Sequence, residues 1–151
     1  MHVLQQAMFG GVAAAGFGVL FNFGWKTLAA CTASGAMALA IRTVALDAGW
    51  TLEGASLAAS AIVTTCAVCI PRRYLGTTAS AIAMTGCIPM IPGAFFAQAL
   101  LGMFELTAAH VPDPQETLVT SAISALRVVF TLFAIGAGLS IPSHLLRGRD
   151  F

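Results

Sequence analysis

The sequence predicts an all-α integral membrane protein with about five transmembrane helices, the fourth broken at a Pro-x-x-Pro-Gly element. Three observations carry this reading. Of the 151 residues, 58% are hydrophobic and 9% charged, whereas an average soluble domain has roughly 25% charged residues. The apolar residues fall into runs near the length of about 20 residues that spans a hydrocarbon core, separated by short polar breaks. One run is too long for a single straight crossing and has two prolines near its centre.

The runs are Val3–Phe23, Thr27–Leu46, Leu52–Ile70, Thr77–Ala109 and Thr117–Ile141. Each is expected to be helical, because a segment in lipid must satisfy its own backbone hydrogen bonds. The first has no Lys or Arg in Met1–Gln6 and continues past the length of a signal-peptide core before Lys26, so it reads as a retained span. It carries Gly10, Ala14 and Gly18 at four-residue spacing, and the second carries Ala30, Ser34 and Ala38. Small-residue stripes of this kind let helices approach closely. The third ends in Cys66-Ala67-Val68-Cys69. With no second pair and no neighbouring His, these thiols read as packing residues, as do Cys31 and Cys87.

The fourth run would reach about 50 Å as one helix, against a hydrocarbon core of about 30 Å. Its centre, Gly86-Cys87-Ile88-Pro89-Met90-Ile91-Pro92-Gly93, removes backbone donors and predicts two half-helices flanking an unwound turn. The fifth repeats the small-residue signature at Ala134 and Gly138. The connections, Gly24–Lys26, Asp47–Thr51, Pro71–Tyr74 and His110–Glu116, hold no extramembrane domain, so residues 1–151 read as a single transmembrane domain.

Charge distribution predicts the topology. If the fourth run crosses once, Lys26, Arg72, Arg73, Arg147 and Arg149 share one face, which the preference of Lys and Arg for the cytoplasm makes the inner one. A re-entrant hairpin would leave Arg147 and Arg149 outside. Five spans, with the N-terminus outside and the C-terminus cytoplasmic, follow.

Several function classes are excluded. With 7 Lys+Arg against 6 Asp+Glu there is no basic excess for phosphates, and one Tyr and two Trp offer little for base stacking, so no nucleic-acid partner is expected. His2, His110 and His144 lie near different membrane ends and form no triad or ligand cluster. Catalysis needs a nucleophile, a base and an orienting group that converge. Apart from Glu53 at the very start of the third run, the only acid within a span is Glu105, so no catalytic residue, metal or cofactor is assigned.

Two cations stand out, because an arginine inside a span costs at least about 2.5 kcal/mol. Arg127 lies midway along the fifth run, where its charge needs a polar cavity or a partner, and Arg42 lies near the outer end of the second. Asn22, in Phe21-Asn22-Phe23, is read either as a hydrogen-bonding or capping residue or as a substrate contact. The Pro89–Gly93 break has two readings as well: a plain kink, or a half-helix start whose free N–H groups suit a carboxylate. Asn22, Arg42, Pro89, Pro92, Gly93 and Arg127 are the candidate substrate-binding residues.

In order and spacing, Gly16-Phe17-Gly18-Val19-Leu20-Phe21-Asn22, Ile88-Pro89-Met90-Ile91-Pro92-Gly93 and Gly138-Leu139-Ser140-Ile141-Pro142 resemble the threonine/serine exporter family, specifically the small membrane subunit of its split, two-subunit form. The likeness covers nearly the whole chain and includes the Trp25-Lys26 turn and Arg42. It implies export of small carboxylate-bearing metabolites, threonine and serine or a dicarboxylate such as succinate, across a bacterial inner membrane, together with a larger membrane subunit of the same family. Members often carry a tyrosine four residues after the glycine of Ile88–Gly93, where this chain has Ala97 beside Phe95 and Phe96. Arg127 receives no role from the resemblance. The expectation is therefore a subunit of a membrane exporter, the alternative being a scaffold that stabilises a transporting partner without binding substrate.

Overall fold

The computed structural model describes residues 2–69, 79–107 and 113–147. Their regular structure is helical throughout: α1 (His2–Leu20), α2 (Trp25–Asp47), α3 (Leu52–Cys69), α4 (Ala79–Cys87), a 3-10 turn (Ile88–Met90), α5 (Gly93–Glu105) and α6 (Pro114–Arg147). Of these, α1, α2, α3 and α6 are each long and apolar enough to cross a membrane, and the bent pair formed by Ala79–Met90 and Gly93–Glu105 makes a fifth span if it crosses once. The Pro71–Tyr74 connection, residues 110–112 of the last one, Arg149 and the side chain of Arg147 lie outside the described residues.

Two helix ends are set by the same device. After α1 the Phe23 amide donates to Gly18 O and the Asn22 amide to Val19 O, with Asn22 at φ 56°. After α2 the Trp50 amide donates to Ala45 O and the Gly49 amide to Leu46 O, with Gly49 at φ 85°. Both are Schellman closures, in which one left-handed residue turns the chain and satisfies orphan carbonyls. The last helix extends beyond its predicted bounds of Thr117–Ile141. The Asp113 carboxylate accepts the Glu116 amide at its start, and the helix continues through Pro142 to Arg147.

The chain forms two compact units. The first comprises residues 1–90 and 134–151, the second residues 91–133. In the first, α2 is central and packs on α1, α3 and α4, while the 3-10 turn lies against α1 and α2. Ala14, Cys31, Ala38, Ala55, Ala59, Val63, Ala83 and Cys87 fill the interior, and Leu4, Met8, Val12, Val19 and Leu20 of α1 point outward. This is the arrangement expected in lipid, where helices associate through close van der Waals contact because outside is as apolar as inside.

The predicted small-residue stripes are spent on these contacts. A Cβ on Gly35 would overlap the Ala14 Cβ and the Gly10 carbonyl, and one on Gly86 would overlap the Ser34 hydroxyl. Gly138 of α6 lies equally close to Ser60 of α3. Buried hydroxyls bond the preceding turn, as Thr64 does to Ser60 O at 2.7 Å and Thr85 to Ala81 O at 2.8 Å. Ser34 also reaches across to Ile82 O at 3.2 Å. Cys31 and Cys87 are buried as expected, but Cys66 and Cys69 are exposed, so the packing role read for that pair is not fulfilled among the described residues.

The interlock predicts opposite signs for one substitution at two glycines. Gly35→Ala should lower stability by about 1–3 kcal/mol through overpacking. Gly16→Ala, with nothing within 4 Å of the added carbon, should be neutral or stabilising by up to about 1 kcal/mol through helix propensity. Thermal unfolding in a mild detergent measures both.

Candidate functional site

The break in the fourth span falls within the predicted window, Gly86 to Gly93, and its chemistry is local. Helix α4 tightens into the 3-10 turn at Ile88–Met90 and stops. Pro92, at φ −79° and ψ 69°, is the centre of an inverse γ-turn in which the Gly93 amide donates to Ile91 O at 2.8 Å. Helix α5 then begins, and its first intrahelical-type bond runs from the Phe96 amide to Pro92 O at 3.1 Å. No side chain caps this end, which leaves the Ala94 and Phe95 amides without an acceptor among the described residues. Gly93 and Ala94 are exposed and Pro92 is buried.

The break also costs the first half-helix donors for its last carbonyls. In an unbroken helix Met90 O would accept from Ala94. Instead it takes a hydrogen bond from Nη1 of Arg42, at 2.6 Å. Arg42 is half-buried near the end of α2, and Met90 is fully buried. A cation against the last carbonyls of a half-helix is favourable both as a charge-assisted bond and against the helix dipole. This contact gives the Arg42 guanidinium a polar partner within the chain.

In the second unit α5 runs beside the first half of α6. The Arg127 guanidinium lies over the Phe95 ring, 5.3 Å from its centroid. Ser124 donates to the Gln98 side-chain oxygen at 3.2 Å. Gly102 meets Ser121 so closely that a Cβ there would overlap the Ser121 hydroxyl. Along this seam a groove of about 390 Å³ is lined by Gln98, Glu105, Glu116, Thr117, Thr120 and Ser121. The Thr131 hydroxyl donates to the Arg127 carbonyl at 2.7 Å, while the Arg127 side chain itself is exposed.

The structure therefore brings together some of the predicted site residues. Arg127 stands beside the first turn of the helix that Pro92 and Gly93 begin, Phe95 being the third residue of that helix. Arg42 and Pro89 belong to the first unit, where Arg42 holds the carbonyl at the end of the turn that contains Pro89. Asn22 is exposed and serves as the left-handed closure of α1. Sequence reasoning missed the Phe95 ring and the Gln98–Ser124 bond. Their signal was present as heptad-like spacing, Phe95, Gln98, Gly102 and Glu105 on one helix and Thr117, Ser121, Ser124 and Arg127 on the other.

Four long apolar helices and a broken pair define a multi-pass helical membrane protein. The family model for "Threonine/Serine exporter, ThrE" matches residues 6–145, and the chain belongs to that family of membrane exporters. No solved structure matches it.

Removing the Arg42 donor should expose its role at the break. Arg42→Leu leaves Met90 O buried without a partner, a loss of about 1–3 kcal/mol. Arg42→Lys keeps a donor and should lose less. Detergent thermal unfolding of the variants, each compared with the parent, provides the measurement.

Proposed function

We propose that this chain is the small subunit of a two-subunit exporter in a bacterial inner membrane, and that the carboxylate of its substrate docks at the start of α5 beside Arg127. One observation carries the second part: among the described residues, the one arginine midway along a long apolar helix is exposed and stands over the first turn of a half-helix with two open amides. Amides at a helix start carry positive partial charge, and a guanidinium adds a full one, so the two converge on an anion. The substrate is a small carboxylate-bearing metabolite, threonine or serine by the family, or a dicarboxylate such as succinate.

The pieces then have distinct tasks. The Ala94 and Phe95 amides and Arg127 receive the carboxylate, and the inverse γ-turn at Pro92 keeps the amides clear of backbone acceptors. Arg42 holds the other side of the break in place. The larger membrane subunit rests on the resemblance to the split form of the family. It also answers a physical need, since a lone chain in lipid would leave the Arg127 guanidinium facing hydrocarbon at a cost of at least about 2.5 kcal/mol.

Arg127→Leu should insert normally while efflux falls about tenfold or more, the size expected for losing a charge-assisted hydrogen bond. Arg127→Lys should recover only part of it, because an ammonium lacks the planar fork that grips a carboxylate at two points. Efflux of threonine and of succinate from cells co-expressing both subunits, normalised to membrane abundance, decides this. Parent-rate export by Arg127→Leu would remove Arg127 from the site.

Topology is tested separately, in a background with the native cysteines replaced. A cysteine at Gly24 and one at Leu145 should label from the cytoplasmic face, and cysteines at Ala48 and Asp113 from the outer face. Labelling of positions 24 and 145 from opposite faces would show that the broken pair re-enters without crossing.

A further inference from the structure

Resting on the reading of Arg127 as the carboxylate-binding cation, we infer that Phe95 is a positioning residue for it. The Phe95 ring holds the guanidinium in the orientation that receives substrate. The ring centroid is 5.3 Å from the guanidinium carbon, within the range at which a cation is attracted to an aromatic face. Phe95 is half-buried and Arg127 exposed, so the ring is the fixed member of the pair and the cation the one it restrains. A cation held against a ring has one face covered and keeps N–H groups on its edge to donate. Those groups lie beside the α5 start, because Phe95 belongs to the same first turn as the open Ala94 amide and contributes an open amide of its own.

The neighbouring contacts fix this pairing. Three residues along α5 from Phe95 is Gln98, and three residues back along α6 from Arg127 is Ser124. These two are hydrogen-bonded at 3.2 Å. The antiparallel register that sets Gln98 against Ser124 therefore sets Phe95 against Arg127. On the other side of Arg127, the fully buried Thr131 side chain donates to the Arg127 carbonyl at 2.7 Å. The Arg127 backbone is thus held by its own helix, and the Phe95 ring restrains the side chain, which reduces the rotamer freedom to be lost when a carboxylate arrives.

The test is threonine efflux from cells co-expressing both subunits, measured over a range of internal threonine concentrations. Phe95→Leu keeps an apolar side chain but removes the π face. It should raise the half-saturating concentration about 3- to 10-fold, the span of a partly exposed cation–π contact, with maximal rate and membrane abundance unchanged. Phe95→Trp, which retains a ring, should bring the value back toward the parent. In an Arg127→Gln background, Phe95→Leu should add nothing, since there is no cation left to position. An equal shift in that background overturns the inference, as does a fall in abundance or maximal rate with the half-saturating concentration unmoved. Failure of the underlying site reading has a different signature, because Arg127→Gln alone would then export threonine like the parent.

Discussion

The hydrogen bond from Arg42 to the Met90 carbonyl is the contact on which the broken span depends. In lipid every backbone group needs a partner, and Pro89 and Pro92 withdraw two donors from one stretch of helix. Three local solutions divide the damage. The chain tightens into a 3-10 turn, the Gly93 amide folds back on Ile91 O, and the α2 arginine supplies the donor that Met90 O lacks. The Met90 and Ile91 carbonyls are thereby accommodated, while the Ala94 and Phe95 amides are left open among the described residues. The asymmetry gives the interrupted span its electrostatic character: a capped negative end followed by an uncapped positive one.

The two arginines illustrate how intramembrane charge can be used in opposite ways. Arg42 is half-buried and bonded to backbone, so its charge stabilises the helix end that makes the break possible. Arg127 is exposed, touches a ring instead of an acceptor among the described residues, and has its own carbonyl occupied by Thr131. One cation is consumed by structure, and the other is the one to which we assign the substrate carboxylate. The acidic groove of Glu105 and Glu116 lies farther along the same α5–α6 seam. The seam therefore carries positive charge at the end near the break and negative charge at the other.

Much of the fold was legible because lipid makes composition informative. Apolar run lengths gave the spans, and Pro89 and Pro92 gave the break, since a missing N–H is visible in the sequence itself. The glycine and alanine stripes also reported truly, as a close helix approach requires small residues at fixed spacing. Other features were hidden for physical reasons. Asn22 drew interest as a polar residue within an apolar run, yet its use is backbone geometry, a left-handed closure that any local reading of polarity overlooks. Arg42 was recognised as costly, but a carbonyl acceptor has no side-chain signature, so Met90 could not be named as its partner. Cys66 and Cys69 read as packing residues because thiols are small and apolar. Which face of α3 they occupy depends on α2 and α4, beyond what their own spacing encodes.

The glycine interlock between α1 and α2 bears on how the protein is made. Gly10, Ala14, Gly18 and Gly35 complete that interface using only residues up to the end of α2, and the Schellman turn at Asn22 joins the two helices through Leu20 to Trp25. A helical hairpin of this kind can dock in the bilayer while the ribosome is still adding the later spans, since chains fold from the N-terminus as they are made. It also presents Ser34 and Ala38 in advance as a seat for α4. The broken span, whose proline-rich centre is the part least able to hold its shape unaided, thus enters a membrane in which its receptor has already been built.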